Sequence, residues 1–489
     1  MDAAIPLFNQ LADCFEQQIT PAELSQAITA FRISPKEQQD RYLSCSISIT
    51  EVDPLAVLEQ HGQTHAFQYY WEKPSDKFAI AAAGTLERIQ STGSGRFKES
   101  SSKGKELLSR VQHVSSLQHH LATVHLLGGF SFFDHNIGDA WREFGAGSFT
   151  LPEWTIVREG RFTVLTITKG ITPSGSIQEI YNRFLTTLNE LEEVCKAGSY
   201  SIPAKKSWKT DVNVPDAYSL ENKQWTDAIE NATDLIKSGE FKKVVLARQL
   251  KVKLNQPVSD THILNNLRHQ YPDCFSFLIR QNAESSFIGC TPERLASFKK
   301  RLVFTEGLAG SISRGKTASE DAVLEHELLH SKKDLSEHSF VLDAIEENLN
   351  RFSEVLEHPE KPKIKKLSNV QHLYTPVRAK IRDDVSRTEV LAKLHPTPAV
   401  GGYPREQAVP FIHKLEHFDR GWYAAPIGWI NAHGEGEFAV AIRSGLIKKE
   451  EVCFFAGCGI VRDSDPQKEW EETNLKFIPM LTALEYARN

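Results

Sequence analysis

Residues 456–476 read AGCGIVRDSDPQKEWEETNLK, and the run just before them, 452–456, is VCFFA. A strand therefore passes through a glycine-rich turn into a helix, with Ser464 or Asp465 as cap and Pro466 in the first turn. Glu469, Glu472 and Lys476 follow at offsets of three and seven, which puts their head groups on one stripe. Trp470, Phe477, Leu481 and Leu484 form the apolar side of the same helix, so the carboxylates flank a buried face. Carboxylates at the rim of a core, beside bare glycine backbone, suit a hard divalent cation holding an anionic ligand. A solvated acidic face explains the same residues when the segment is read alone.

Upstream of this strand and helix, more strands are expected near 244–250, 276–280, 302–305, 425–431 and 437–446, with helices at 223–239, 318–330 and 334–350. The chain's first strands fall at Tyr42 onward, 65–71, 78–84, 128–133 and 162–167, and 91–105 reads as a loop running into a helix. Long strands that do not alternate regularly with helices indicate an α+β protein with antiparallel sheets, not a doubly wound parallel one. Residues 1–40 read as a helical lead-in. The polar stretch 196–216 divides a strand-rich part, 41–215, from a part, 216–489, that carries the chemical motifs.

With 489 residues, 40% of them apolar, the chain can bury a large core. A net charge of −6 with interspersed signs gives no field for nucleic acid and no polybasic membrane anchor. Seven scattered cysteines without a Cys-x-x-Cys pair indicate neither a disulfide framework nor a zinc ribbon. No leader and no apolar run of spanning length is visible, and a cytoplasmic location is expected.

Two short patterns are set aside. Gly310 to Thr317 fits GxxxxGK[ST], but its interior, Ser-Ile-Ser-Arg, lacks the glycine a phosphate cradle needs, and no second strand ends in aspartate. His326-Glu327-Leu328-Leu329-His330 is a literal HExxH on a charged helix with no obvious third ligand.

The remaining pieces carry chemistry. Lys243 shares a strand face with Val245 and Ala247, where desolvation would lower its pKa and make it a base. A plain strand-edge lysine is the competing explanation. Glu293 follows a rigid Thr-Pro turn that can aim a carboxylic acid into a cleft. His395 sits in the stiff turn 394–402. Arg443, on the strand expected over 437–446, can grip a carboxylate bidentately.

In order, KVVLAR (243–248), TPERL (291–295), LAGSISRG (308–315), SEH (336–338), HPTPAVGG (395–402), RGWYAAPIGW (420–429), AIRSGL (441–446) and AGCGIV…SDPQKEWEET resemble the chorismate-utilising enzymes, and among them the isochorismate synthases. The likeness is dense over about 225–486, with weaker echoes at 69–74, 128–132 and 151–156. It implies a four-layer αββα fold with two large, mostly antiparallel sheets packed orthogonally, and one Mg²⁺. Glu337 and Glu469 would then be metal ligands, supported by Glu472, on the ring carboxylate of chorismate. Tyr423, Arg443 and the backbone of Gly457 and Gly459 would clamp the enolpyruvyl carboxylate, with the short motif Ala309-Gly310-Ser311 also binding the substrate and Lys476 as a further charge partner. Lys243 would activate water for attack at C2, and Glu293 would protonate the departing C4 hydroxyl, with His395 in support. That division needs a neutral Lys243 and a protonated Glu293 near neutral pH.

Ammonia-using relatives carry glutamine where Lys243 stands, so lysine argues for water and against a glutaminase partner. Aminodeoxychorismate synthases can carry a nucleophilic lysine at the position of Ala309. Salicylate synthases share the water-activating lysine and are the nearest alternative, along with the siderophore-pathway isochorismate synthases. The long N-terminal portion resembles the menaquinone-pathway type. A silent chorismate-binding module is the remote alternative.

Overall fold

The computed structural model describes residues 11–32, 40–134, 137–171, 176–196, 219–366, 370–449 and 451–488. The expected divide at 196–216 lies almost wholly outside these residues. Two sheets dominate, one of 12 strands and one of 10, and among the described residues the one parallel pairing joins Arg41–Ile49 to Val111–Val114. In each sheet the strands from before the expected divide form one contiguous block and those from after it another, joined where Gln68–Lys73 pairs with Phe275–Asn282 and where His125–Phe130 pairs with Pro426–Asn431.

The 12-stranded sheet is buried on both faces, which its side-chain alternation records. Tyr69, Trp71, Ile80, Phe277 and Ile279 point into the core shared with the second sheet. Their neighbours Tyr70, Ala81 and Leu278 point the other way, onto the helices Leu11–Gln18, Pro54–His61, Ile177–Lys196, Asp260–Gln270 and Pro466–Arg488. The outer face of the 10-stranded sheet is covered by helices Arg96–Ser109, Ala318–His330, Lys332–Asn350 and Arg387–Leu394. The order helix, sheet, sheet, helix matches the expected four layers.

One expected strand is two. Gly436–Val440 belongs to the 10-stranded sheet and Ser444–Lys448 to the 12-stranded one. Between them Arg443 takes φ +49°, so it lies on the crossing and not on a strand. Phe438 to Ile442 is apolar at every position, as in any strand buried on both faces, so nothing in the pattern marks the crossing. A second crossing runs beside it, from Ser285–Thr291 to Arg294–Lys299, and it carries Glu293. The two are tied together: Val440 N donates to Glu293 O at 3.0 Å, Thr291 Oγ1 to Val440 O at 2.6 Å, and Cys290 N to Arg443 O at 3.0 Å.

The C-terminal helix starts at Pro466 as expected. Asp465 is its cap, its Oδ1 accepting from Lys468 N at 2.9 Å, while Ser464 Oγ instead accepts from Val461 N. Trp470, Phe477, Leu481 and Leu484 are all buried.

Candidate active site

Lys243 opens the strand Lys243–Lys253 and is 4% exposed. That strand pairs antiparallel with Glu451–Ile460, setting Val245 opposite Gly459 and Ala247 opposite Gly457. A Cβ on Gly459 would stand 2.6 Å from Lys243 Cε and 3.8 Å from Glu337 Oε1, so only glycine leaves room for the lysine to lie across it. Lys243 Nζ donates to Glu337 Oε1. Glu337 comes from helix Lys332–Asn350, capped by Ser331. Burial pushes the Glu337 carboxyl up, but the Lys243 charge and hydrogen bond, with Lys333 and Lys476, bring it net below the usual range.

Glu293, in the neighbouring crossing, is 8% exposed. Burial raises its carboxyl to about 7, against lowering by a hydrogen bond from Thr397 and by the charges of Lys243 and Lys365. It can therefore hold a proton near neutral pH, as the expected acid must. Thr397 Oγ1 donates to Glu293 Oε1 at 3.3 Å. His395, in the same turn, does something else: Nε2 lies 3.2 Å from Phe132 O and the ring stands edge-on to Phe132 at 5.3 Å. Burial holds its pKa well below the ordinary value, so it is a neutral imidazole. Thr397 was missed in the sequence; its signal was a hydroxyl between two prolines, two residues past the histidine.

Tyr423 is buried, stacked on Phe455 at 5.1 Å, and its hydroxyl would lie 3.0 Å from a Cβ on Gly457. Lys476 Nζ donates to Gly457 O at 2.8 Å and to Glu472 Oε1 at 2.7 Å. Arg443 has no carboxylate partner among the described residues, which leaves its guanidinium available to an anion. Burial raises the Glu469 carboxyl, opposed by hydrogen bonds from Ser464 and Cys458, and Glu472 adds like charge. Glu337, Glu469 and Glu472 thus each hold a protein partner, and their oxygens do not close on a common point.

The strand expected over 302–305 runs on to Ser313. Its register shifts between Ala309 and Ser311, at Gly310 with φ +76°, a conformation glycine adopts without strain. A Cβ on Gly310 would touch Asp334 Cβ at 3.0 Å, on the helix bearing Glu337, and Ser311 Oγ meets His372 Nδ1 at 2.7 Å. In the phosphate-loop look-alike, Asp321 Oδ1 accepts from Gly315 N at 2.9 Å and Glu320 Oε2 from Lys316 N at 2.7 Å, so the chain's own carboxylates fill the place a phosphate would take. His326 and His330 stack on one another at 4.0 Å, and His330 Nδ1 is 2.7 Å from His326 O.

A buried ion pair holds these parts in register. Arg420 is 0% and Glu416 2% exposed at the side chain. Glu416 Oε1 accepts from Ala247 N at 2.7 Å, while Arg420 donates to Val245 O and to Val400 O, both at 2.8 Å. The pair thereby fixes the Lys243 strand to the turn carrying Thr397.

The fold and the site define a chorismate-utilising enzyme: a family model for chorismate binding enzymes matches residues 24–485, and the chain belongs to that family. Its long relatives are isochorismate synthases. Isochorismate synthase MenF of Bacillus subtilis is 35% identical over 90% of this chain and 93% of its own. The salicylate biosynthesis isochorismate synthase of Pseudomonas aeruginosa is 36% identical over 95% of this chain and 96% of its own. Among solved structures, MenF of Escherichia coli, the menaquinone-specific isochorismate synthase, superposes with a TM-score of 0.73 at 25% identity, covering 94% of this chain and 100% of that one.

Proposed function

We infer that the protein is an isochorismate synthase, an isomerase that converts chorismate to isochorismate. The observation that carries this reading is a buried lysine, Lys243, together with a buried carboxyl, Glu293, that burial raises to about 7. Lys243, released from Glu337 and in its neutral form, takes a proton from water as the oxygen bonds to C2 of the ring. The ring double bonds shift, the C4–O bond breaks, and Glu293 protonates the departing hydroxyl, which leaves as water. Lysine then carries a proton more and glutamate one fewer, and exchange through solvent restores both. Because one hydroxyl replaces another, the reaction is reversible.

Arg443 and Tyr423, with the backbone at Gly457 and Gly459, bind the enolpyruvyl carboxylate, and Lys476 adds charge. Thr397 orients Glu293. His395 is a positioning residue, holding the turn against Phe132, and the Ala309-Gly310-Ser311 bulge seats the helix that carries Glu337.

The donor set, three carboxylates, suits Mg²⁺, although their oxygens stand apart in this structure. Glu469 is a partly buried carboxylate with Glu472 as a like-charged neighbour, an arrangement that a dication relieves. Glu337 and Glu469, with Glu472 in support, would hold it, and it would neutralise the ring carboxylate of the substrate. No glutaminase subunit, nucleic acid or membrane enters this reading. No described helix is long and apolar enough to cross a membrane, and we place the enzyme in the cytoplasm.

The product feeds menaquinone synthesis in this account, supported by the full-length likeness to the two MenF proteins. Salicylate supply is the second reading, favoured by the 36% identity to the Pseudomonas enzyme. Incubation of the purified protein with chorismate and Mg²⁺, with chromatography of the products, tests the activity. Isochorismate is expected, and anthranilate or salicylate as main product refutes it.

A further inference from the structure

Far along the chain from the catalytic motifs, three side chains converge. His119 and His120 lie in the segment between strands Val111–Val114 and His125–Phe130, and Glu159 ends strand Trp154–Glu159 of the 12-stranded sheet. One ligand-capable atom from each lies within 4.8 Å of the other two. His120 Nε2 is 3.2 Å and His119 Nε2 3.5 Å from the same oxygen, Glu159 Oε2. Ligands at Zn–N and Zn–O lengths of about 2.0–2.1 Å around a tetrahedron stand about 3.3 Å apart. Both ring nitrogens already stand at about that distance from the Glu159 oxygen.

The second ring nitrogen of His120 supplies an independent observation. Nδ1 is 2.6 Å from Glu435 Oε2, whose side chain is 9% exposed, just ahead of strand Gly436–Val440 in the other sheet. A carboxylate on the far nitrogen is the arrangement that fixes a metal-binding histidine's tautomer and turns its free lone pair to the ion. Glu435 is itself held, with its N–H donating to Asn431 Oδ1 at 3.0 Å, and Asn431 Nδ2 donates to His120 O at 3.1 Å. With Nδ1–H given to Glu435, a neutral His120 turns a lone pair toward the Glu159 carboxylate. A cation between them removes that repulsion. A doubly protonated ring bridging both carboxylates is the metal-free alternative.

We propose that His119, His120 and Glu159, oriented by Glu435, form a site for a zinc-class transition metal that is separate from the magnesium site and ties the end of strand Trp154–Glu159 to the start of strand Gly436–Val440. Two imidazoles and one carboxylate select Zn²⁺, Co²⁺ or Ni²⁺ over Mg²⁺. Glu159 is 44% and the histidines 24% and 34% exposed at the side chain, which leaves a path for the ion and a water-filled coordination position. This inference does not depend on the proposed function.

The test uses tag-free, full-length protein, stripped of metal and held in excess Mg²⁺. Co²⁺ is titrated and followed by its visible absorption and by calorimetry, with Zn²⁺ as competitor. One ion per chain is expected, displaced by Zn²⁺, with a Zn²⁺-dependent rise of a few degrees in melting temperature. His119→Ala and Glu159→Gln should abolish binding, and Glu435→Gln should weaken it about 10–100-fold. His326→Ala, in the HExxH pattern, should leave it unchanged. Circular dichroism and chorismate turnover at the wild-type level establish that each variant is folded. No stoichiometric Co²⁺ binding, or binding that survives His119→Ala, overturns the proposal and leaves the doubly protonated bridge. Binding lost in His326→Ala also overturns it.

Discussion

Lys243 and Glu337 form one ion pair across the bare backbone of Gly459. Glu337 is also a proposed magnesium ligand, so the ion and the lysine ammonium compete for one carboxylate. Lys243→Ala should therefore bind Mg²⁺ more tightly, by several-fold up to roughly 10-fold, when measured calorimetrically without substrate. The same variant should lose about 10²–10⁴ in turnover, the usual worth of a positioned base. Unchanged magnesium affinity would contradict the shared role of Glu337.

Glu293 sets a pH limit. Its carboxyl titrates at about 7, and the acid works only when protonated, so kcat/KM should fall as pH rises through about 7. Stability follows the same sign. The raised pKa favours the native state fully below the ordinary carboxyl value of 4.5, and that contribution is lost as pH rises through about 7. Glu293→Gln cannot ionise, and urea unfolding at about pH 8 should find it roughly 1–3 kcal/mol more stable than wild type, though nearly inactive.

Thr397→Val removes a donor that favours the Glu293 carboxylate. The alkaline limb of the rate profile should then move upward, by roughly 0.5–1 pH unit, with little change in the acidic limb. An unmoved limb would separate Thr397 from the acid.

Arg420→Met leaves Glu416 charged and unpaired in the core and frees Val245 O and Val400 O. Breaking one side of such a buried pair costs about 3–5 kcal/mol, which urea unfolding would read directly. Turnover should fall with it, because the pair joins the Lys243 strand to the Thr397 turn.

Much of this was legible in the residues. Glu469, Trp470 and Lys476 announced the C-terminal helix and its two faces because a 3.6-residue period survives any tertiary context. The motifs around Lys243, Glu293 and Glu337 pointed to one family and hence to the layered fold, which periodicity alone did not supply. The crossings between sheets were not legible. An unbroken apolar run from Phe438 to Ile442 is compatible with a straight strand or with a chain that changes sheet, and pairing decides which. Thr397 and the Arg420–Glu416 pair escaped notice for a related reason: their partners are distant in sequence or lie on backbone atoms, which a motif does not display.

The central claim is that water, activated by Lys243, adds at C2 while the C4 hydroxyl departs. Running the reaction in water enriched in heavy oxygen, with Mg²⁺ and short sampling times, and locating the label by mass spectrometry tests it most directly. The account predicts isochorismate carrying one solvent oxygen, at C2. Isochorismate without solvent oxygen would show that the hydroxyl migrates within the substrate, and the assignment of Lys243 as the base for water would fall.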